Sequence, residues 1–92
     1  MIVRVQGSGQ YRLEDGSVTG LNQLDGELLS AVQRNDQEEV SSLLYKMIAY
    51  VQTEGKPILA DEIVPSDAIL PPDNLTYDEI VTLLKEDGLV PG

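Results

Sequence analysis

Residues 36–57 read DQEEVSSLLYKMIAYVQTEGKP, and this stretch decides the fold. Its apolar residues recur at spacings of three and four, which places them on one face of a helix. Asp36, followed three residues later by Glu39, predicts a capping box in which each side chain satisfies a backbone donor of the new helix. Gly55 and Pro57 predict its end. The apolar stripe consists of Val40, Leu43, Leu44, Met47, Ile48 and Val51.

A second helical pattern precedes this one and extends from Val18 to about Arg34. The brief interruption at Asn35-Asp36 predicts an antiparallel helical hairpin whose apolar stripes face each other. The start of the first helix stays open, because Gly26 costs about 1 kcal/mol relative to alanine in a helix interior. Asp15 or Ser17 are candidate starts, and a start after Gly26 is the alternative. The stripe consists of Val18, Leu21, Leu24, Leu28, Leu29 and Val32.

The N-terminal residues predict a β-hairpin. Residues 2–6 are rich in β-branched side chains, and residues 10–13 again alternate polar with apolar. Gly7-Ser8-Gly9 separates the two runs and supplies the turn. Such a two-stranded ribbon needs a surface to pack on. Arg4 and Arg12 both lie here, whereas the rest of the chain carries the acidic excess.

Residues 57–74, which we call the belt, follow the second helix. They contain four prolines, which exclude a long helix. Their remaining residues are too apolar for a free linker, so we expect an extended segment that lies across the helices and buries them. The prolines are Pro57, Pro65, Pro71 and Pro72, and the aliphatic residues are Ile58, Leu59, Ile63, Val64, Ile69 and Leu70.

A third helix is predicted after the belt. Thr76 and Glu79 form a second capping box, and Leu75 with Ile80 predicts a hydrophobic staple. Gly88 predicts the end of the helix, after which Leu89 and Val90 fold back onto the core. We therefore predict an α+β fold with a short N-terminal β-hairpin, an antiparallel helical hairpin, a proline-rich extended segment and a third C-terminal helix. The 92 residues are expected to form one domain with a three-helix core.

The residue types needed for most enzyme chemistry are missing, since the chain has no cysteine and no histidine. Gly7-Ser8-Gly9 lacks the third glycine and the following helix of a dinucleotide-binding loop. Asp61-Glu62 and Glu86-Asp87 lack the ligand spacing of a calcium loop. Ser66 beside Asp67 has no histidine to activate it, so a turn or cap role is favoured. We expect no catalytic residue, no metal and no cofactor.

Charge points to a protein partner. Sixteen acidic and six basic residues give a net charge of −10, which repels nucleic acid and anionic lipid and attracts basic protein surfaces. No apolar run approaches the roughly 20 residues that cross a bilayer, so direct membrane insertion is not expected. We expect a cytoplasmic protein.

The second helix has an apolar face that is wider than one packing interface. Tyr45 and Ala49 project away from its main stripe, and Tyr50 borders the stripe on the other side. Tyr45, Ile48, Ala49 and Tyr50 are therefore candidate partner-binding residues, because tyrosine buries a large area while its hydroxyl stays polar. The alternative is that the hairpin or the belt covers this face.

Several stretches together resemble the PspA-associated family PspAA, whose members are small partners of the phage-shock protein PspA. The resemblance implies a non-enzymatic adaptor of the envelope-stress system that binds a PspA-like coiled-coil protein, with membrane contact left to that partner at the inner face. The signature positions are Gly9, Tyr11, Pro65, Ser66, Asp67, Leu70 and Pro71. The matching stretches are Met1-Ile2-Val3-Arg4-Val5, Gly9-Gln10-Tyr11-Arg12, Leu21-Asn22-Gln23-Leu24-Asp25, Pro65-Ser66-Asp67-Ala68-Ile69-Leu70-Pro71-Pro72 and Gly88-Leu89-Val90-Pro91-Gly92.

Two other functions remain open at this point. A self-assembling structural module would use the same apolar face for a homodimer, and its N-terminal ribbon would add edge to edge across a two-fold axis. An acyl-carrier-like protein would hold a prosthetic arm on Ser66. The carrier motif is Asp-Ser-Leu, however, whereas here proline precedes Ser66 and Asp67 follows it.

Overall fold

The elements follow the order β-β-α-α-β-β-α in a computed structural model that describes residues 1–59, 61–62, 64–72 and 74–83. The predicted α+β class, the N-terminal hairpin and the helical hairpin are confirmed. The strands are β1 Ile2–Val5, β2 Gly9–Arg12, β3 Lys56–Pro57 and β4 Ala68–Leu70, and the helices are α1 Asp15–Gln33, α2 Gln37–Glu54 and α3 Tyr77–Leu83.

The turn between α1 and α2 satisfies both helix ends with very few residues. Asn35 has φ 56°, in the left-handed region that asparagine adopts more readily than most residues. Its N–H donates to the Val32 carbonyl, and the Asp36 N–H donates to the Ala31 carbonyl, both at 3.0 Å, as in a Schellman motif. The Asp36 carboxylate then accepts the Glu39 N–H at 3.2 Å. Asp36 thus closes α1 and opens α2.

The two predicted capping boxes differ in completeness. At Asp36 only the first half forms, because the Asp36 N–H already donates to the end of α1 and is not available to the Glu39 carboxylate. At Thr76 both halves form: the Thr76 N–H donates to Glu79 Oε1 at 3.1 Å, and the Glu79 N–H donates to Thr76 Oγ1 at 3.2 Å. Because α2 follows α1 so closely, the Asp36 N–H serves the end of α1 and not the capping box of α2.

Helix α1 begins earlier than the apolar periodicity predicts. It starts at Asp15, one of the two candidate starts, so the alternative start after Gly26 is wrong. Glu14 occupies the N-cap position and makes no side-chain capping bond. The helix continues through Gly26 because Leu21 and Leu28, on either side of it, are fully buried. Burying a leucine contributes about 1.5–3 kcal/mol, which exceeds the roughly 1 kcal/mol cost of one glycine.

The belt joins the sheet, and this corrects the prediction that it lies across the helices. Its short strands β3 and β4 flank the hairpin to give the strand order β3-β2-β1-β4. Strand β3 pairs antiparallel with β2, whereas β4 pairs parallel with β1. In this register Val3 lies between Tyr11 and Ala68. The hairpin is therefore central, and the ribbon edges that the homodimer hypothesis would use are taken by β3 and β4.

Between its two strands the belt passes over the face of the sheet that points away from the helices. Gln10 projects from β2 on that outer face, since it alternates with the inward-facing Tyr11. Its amide donates to the Val64 carbonyl at 3.0 Å and to Ser66 Oγ at 2.8 Å. The Asp67 N–H then donates to the Ile2 carbonyl at 2.7 Å, directly before β4 begins.

Helix α2 lies between the other elements. It contacts α1, α3 and β3, and its stripe joins the inner face of the sheet in one apolar core. Gly55 ends α2 with φ −84°, so it is not the left-handed glycine that commonly ends a helix. A Cβ at Gly55 would lie 2.8 Å from Tyr11 Cβ, so this glycine is needed for close approach to the sheet. The core residues are Val3, Val5, Leu13, Leu21, Leu28, Ala31, Val40, Leu43, Leu44, Met47, Ile48, Val51, Ala68, Leu70 and Ile80.

Helix α3 starts where the sequence predicts, directly after Thr76. Of the two residues of the predicted staple, Ile80 is buried and Leu75 packs against the core. The predicted helix end at Gly88 and the returning Leu89 and Val90 lie outside the described residues. None of the helices in the described ranges is both long and apolar enough to cross a membrane.

Replacing Asp36 with alanine should lower the free energy of unfolding by about 1 kcal/mol, because the Glu39 N–H loses its acceptor. Asp36→Asn keeps a capping oxygen and serves as the matched control, with a change of only a few tenths of a kcal/mol. Urea denaturation followed by far-ultraviolet circular dichroism measures both. Equal losses in the two variants would contradict the capping role.

The left-handed backbone of Asn35 gives a second prediction. Asn35→Val should destabilise the protein by roughly 1–2 kcal/mol, because a β-branched side chain is strained at a φ of 56°. Asn35→Gly removes that strain and should leave stability unchanged or slightly raised. The same denaturation measurement compares the two, and a valine variant as stable as the glycine variant would argue against the observed turn.

Candidate protein-binding surface

Three of the four candidate residues lie together on one side of α2. Tyr45 is 64% exposed and Ala49 is exposed, and they sit on adjacent turns of the helix. Ile48 lies next to them at spacings of three and one, but at 9% exposure it belongs mainly to the core. The sequence therefore identified a real exposed strip, whose accessible members are Tyr45 and Ala49. Ile48 packs in the core beneath these two residues.

A shallow groove of about 300 Å³ lies beside this strip. One wall is α2, through Ile48 and Gln52, and the opposite wall is the β1–β2 turn at residues 6–8, with Pro72 at its end. The Gln52 amide donates to Ser8 Oγ at 3.2 Å across the groove. The turn is thereby tied to α2, so the strip and the groove form one continuous surface of mixed apolar and amide character.

Tyr50, the fourth candidate, does not lie on this surface. It is half-buried, and its hydroxyl donates to the Ser17 carbonyl of α1 at 2.7 Å. Gly20 makes room for the ring, since a Cβ at that position would lie 2.8 Å from Tyr50 Cζ and closer still to the hydroxyl. The geometry therefore gives Tyr50 a role in joining α2 to α1.

The two polar signature residues fasten the belt to the sheet. Asp67 makes a two-way contact with β1: its carboxylate accepts the Ile2 N–H at 2.7 Å, and its own N–H donates to the Ile2 carbonyl. Ser66 Oγ accepts a bond from Gln10 rather than capping a helix or closing a turn. The sequence did not single out Gln10, because its contacts depend on the path of the belt over the sheet, which local patterns do not show.

The remaining signature residues also have structural positions. Gly9 has φ 133° where the hairpin turn enters β2, a backbone conformation that other residues rarely adopt. The Tyr11 hydroxyl lies 2.6 Å from Ser8 Oγ, and its ring packs against the core. Leu70 and Pro71 are buried, whereas Pro65 is exposed. Gly9 and Tyr11 therefore belong to the hairpin, and Leu70 and Pro71 hold the belt in the core.

The outer face of the sheet carries a group of basic side chains that the sequence patterns do not bring together. Arg4 and Arg12 point outward, since they alternate with buried Val3 and inward-facing Tyr11. Lys56 lies directly across from Arg12 in the β2–β3 pair. The strand alternation predicts which way each arginine points, but the contribution of β3 depends on a pairing that the sequence does not show.

Little in the described part of the chain suggests catalytic chemistry. Within those residues no three acidic side chains are gathered in a way that could hold a metal ion. Asp25, on α1, is their one buried charged side chain, at 5% exposure, and it is engaged in a polar or electrostatic interaction.

A comparison with models of protein families gives one match. A protein-family model described as PspA-Associated protein, PspAA, matches residues 1–92, which is the whole chain. No curated protein and no solved structure gives a significant match.

The contact between Gly20 and Tyr50 predicts opposite outcomes for two glycines of the same helix. Gly26→Ala should stabilise the protein by about 1 kcal/mol, because nothing lies within 4 Å of the new Cβ and alanine favours the helix. Gly20→Ala should forfeit this gain and destabilise, because Tyr50 must move and lose its bond to Ser17. Thermal and urea unfolding of the pair measure this, and equal gains would show that Tyr50 does not pack on α1.

Proposed function

The chain belongs to the PspAA family, and from that membership we propose that it is a non-catalytic adaptor of the phage-shock, or envelope-stress, system that binds a PspA-like coiled-coil protein. The proposal combines a family whose members are described as PspA-associated with a surface that suits a helical partner.

The observation that carries the proposal is the exposure of Tyr45 beside the groove. A tyrosine that is 64% exposed, next to Ala49 and above Ile48, offers an apolar strip with one polar atom. Residues at such spacings are those that contact a partner helix lying along a groove. Tyrosine is also enriched among residues that dominate binding energy. A coiled-coil protein presents the complementary shape, a long amphipathic helix.

The absence of catalysis is part of the proposal. The sequence supplies neither histidine nor cysteine. The hydroxyl of Ser66, the residue that a carrier protein would modify, accepts the Gln10 amide at 2.8 Å, which supports a structural role for it. An adaptor needs stable surfaces and no reactive group, which agrees with these features.

The proposed compartment follows from the partner. We place the adaptor in the cytoplasm, at the inner face of the membrane when its partner is bound there. A net charge of −10 disfavours direct contact with anionic lipid headgroups. The PspA-like protein would therefore make the membrane contact.

Tagged protein purified from its native cells should bring a PspA-family protein with it. Tyr45→Asp should reduce the amount recovered by at least about tenfold, because it places a charge in the centre of the proposed interface. Thr19→Asp introduces the same charge at an exposed position on α1, away from the strip and the groove, and should bind normally. Quantitative mass spectrometry of the eluates measures the ratio.

Tyr50→Asp is unsuitable as a binding probe, because it would break the contact with Ser17 and weaken the fold. Circular dichroism should show that Tyr45→Asp and Thr19→Asp fold like the wild type. Recovery of no PspA-family protein with the wild-type chain would refute the proposed function, and equal recovery with Tyr45→Asp would refute the proposed surface.

A further inference from the structure

The outer face of the sheet concentrates positive charge in an acidic protein. Three of the six basic residues lie there: Arg4 on β1, Arg12 on β2 and Lys56 on β3. All three are exposed. Arg12 and Lys56 are direct cross-strand neighbours, an arrangement of like charges that costs stability. This cluster of positive charge therefore stands out on a chain that has sixteen acidic residues.

The charges on this face are only partly compensated within the protein. Lys56 pairs with Glu14 at 3.7 Å, but both side chains are about four-fifths exposed, at 79% and 80%, so the pair is weak. Within the described ranges, neither Arg4 nor Arg12 has a carboxylate within 4 Å. Both guanidinium groups can therefore donate to carboxylates of another molecule, in the two-pronged geometry that arginine favours.

Exposed aliphatic side chains adjoin these cations. Ile69 on β4 is the cross-strand neighbour of Arg4 and is 51% exposed. On the other side of Arg4 is a groove of about 360 Å³, lined by Ile58, Leu59 and Val64 of the belt. Leu59, at 73%, is the most exposed of the large apolar residues in the described ranges. Arginine beside exposed aliphatic residues is a composition typical of binding interfaces.

We propose that the outer face of the sheet binds an acidic segment of a partner protein, whose carboxylates contact Arg4 and Arg12 and whose aliphatic side chain enters the groove beside Arg4. The site is separate from the strip at Tyr45, which belongs to α2. It therefore gives the protein a second docking surface, selective for acidic rather than basic segments.

A segment of protein fits this face better than a lipid or nucleic-acid surface does. Acidic residues border the cations: Glu14 beside Lys56, Glu62 in the wall of the groove, and Asp67 next to β1. An extended array of phosphates would be repelled by these acidic residues and by the net charge of −10. A short segment can place single carboxylates on the arginines and leave the border in water.

Nuclear magnetic resonance titration of the full-length, isotope-labelled chain tests the proposal. The probe is a short synthetic peptide of alternating glutamate and leucine, and the control is the same peptide with lysine in place of glutamate. The acidic peptide should shift the amide signals of β1, β2 and the belt, with an affinity that falls as salt rises. The lysine peptide should leave those signals in place.

Paired variants separate the site from overall charge. R4E/R12E should weaken binding of the acidic peptide by at least about tenfold. R34E/K46E changes the net charge by the same amount on the helical side and should change the affinity by no more than about twofold, since it acts only at long range. Amide spectra of each variant should show the fold intact.

Three outcomes would overturn the proposal. They are equal loss in both double variants, shifts by the acidic peptide confined to the helices or absent, and stronger binding to phosphatidylglycerol vesicles than to the peptide. Because the probe is synthetic, none of these depends on a PspA-family protein. Co-purification with such a protein while the acidic peptide fails would remove the second surface and leave the proposed function standing.

Discussion

The burial of the apolar stripe of α2 is the interaction on which the rest of the structure depends. One flank of α2 receives α1, tied by the bond from Tyr50 to Ser17, and its C-terminal end meets the sheet where Gly55 packs on Tyr11. The two-residue strand β3 follows directly, so the end of α2 also positions a sheet edge. A hairpin of two short strands is marginal alone in water. The helix therefore stabilises both the helical hairpin and the sheet.

The local part of this architecture was predictable from sequence. Stripe spacing, the residues that cap helix ends and the turn residues all depend on neighbours within a few positions, and they located α2, the start of α3 and the hairpin correctly. Parts that depend on distant partners were not. The start of α1 stayed open between Asp15, Ser17 and a position after Gly26, because local patterns do not show that packing outweighs the cost of three glycines. Strands β3 and β4 were missed because strands of two and three residues form only where an existing hairpin offers an edge.

The same division explains the candidate surface. Helical spacing placed Tyr45, Ile48 and Ala49 on one side of α2, and they do lie together. It could not show that Tyr50 would pack against α1, because this depends on the space left by Gly20 on another helix. Strand alternation alone indicates that Arg4 and Arg12 share a face, yet the groove beside Arg4 needs the path of the belt. Local sequence patterns therefore do not predict binding surfaces that several elements form together.

The pairing of β1 with β4 also sets an order of events. Ile2 is joined through backbone and side chain to Asp67, a separation of 65 residues, so the first strand completes its pairing only after most of the chain exists. The contacts of the helical hairpin are much closer in sequence and form without that wait, since closing a short loop loses less entropy. During synthesis, therefore, the helices can assemble first while the outer edge of β1 remains open. Only the arrival of the belt closes that edge, so the last segment to join the sheet is also the one that protects it from pairing with other chains.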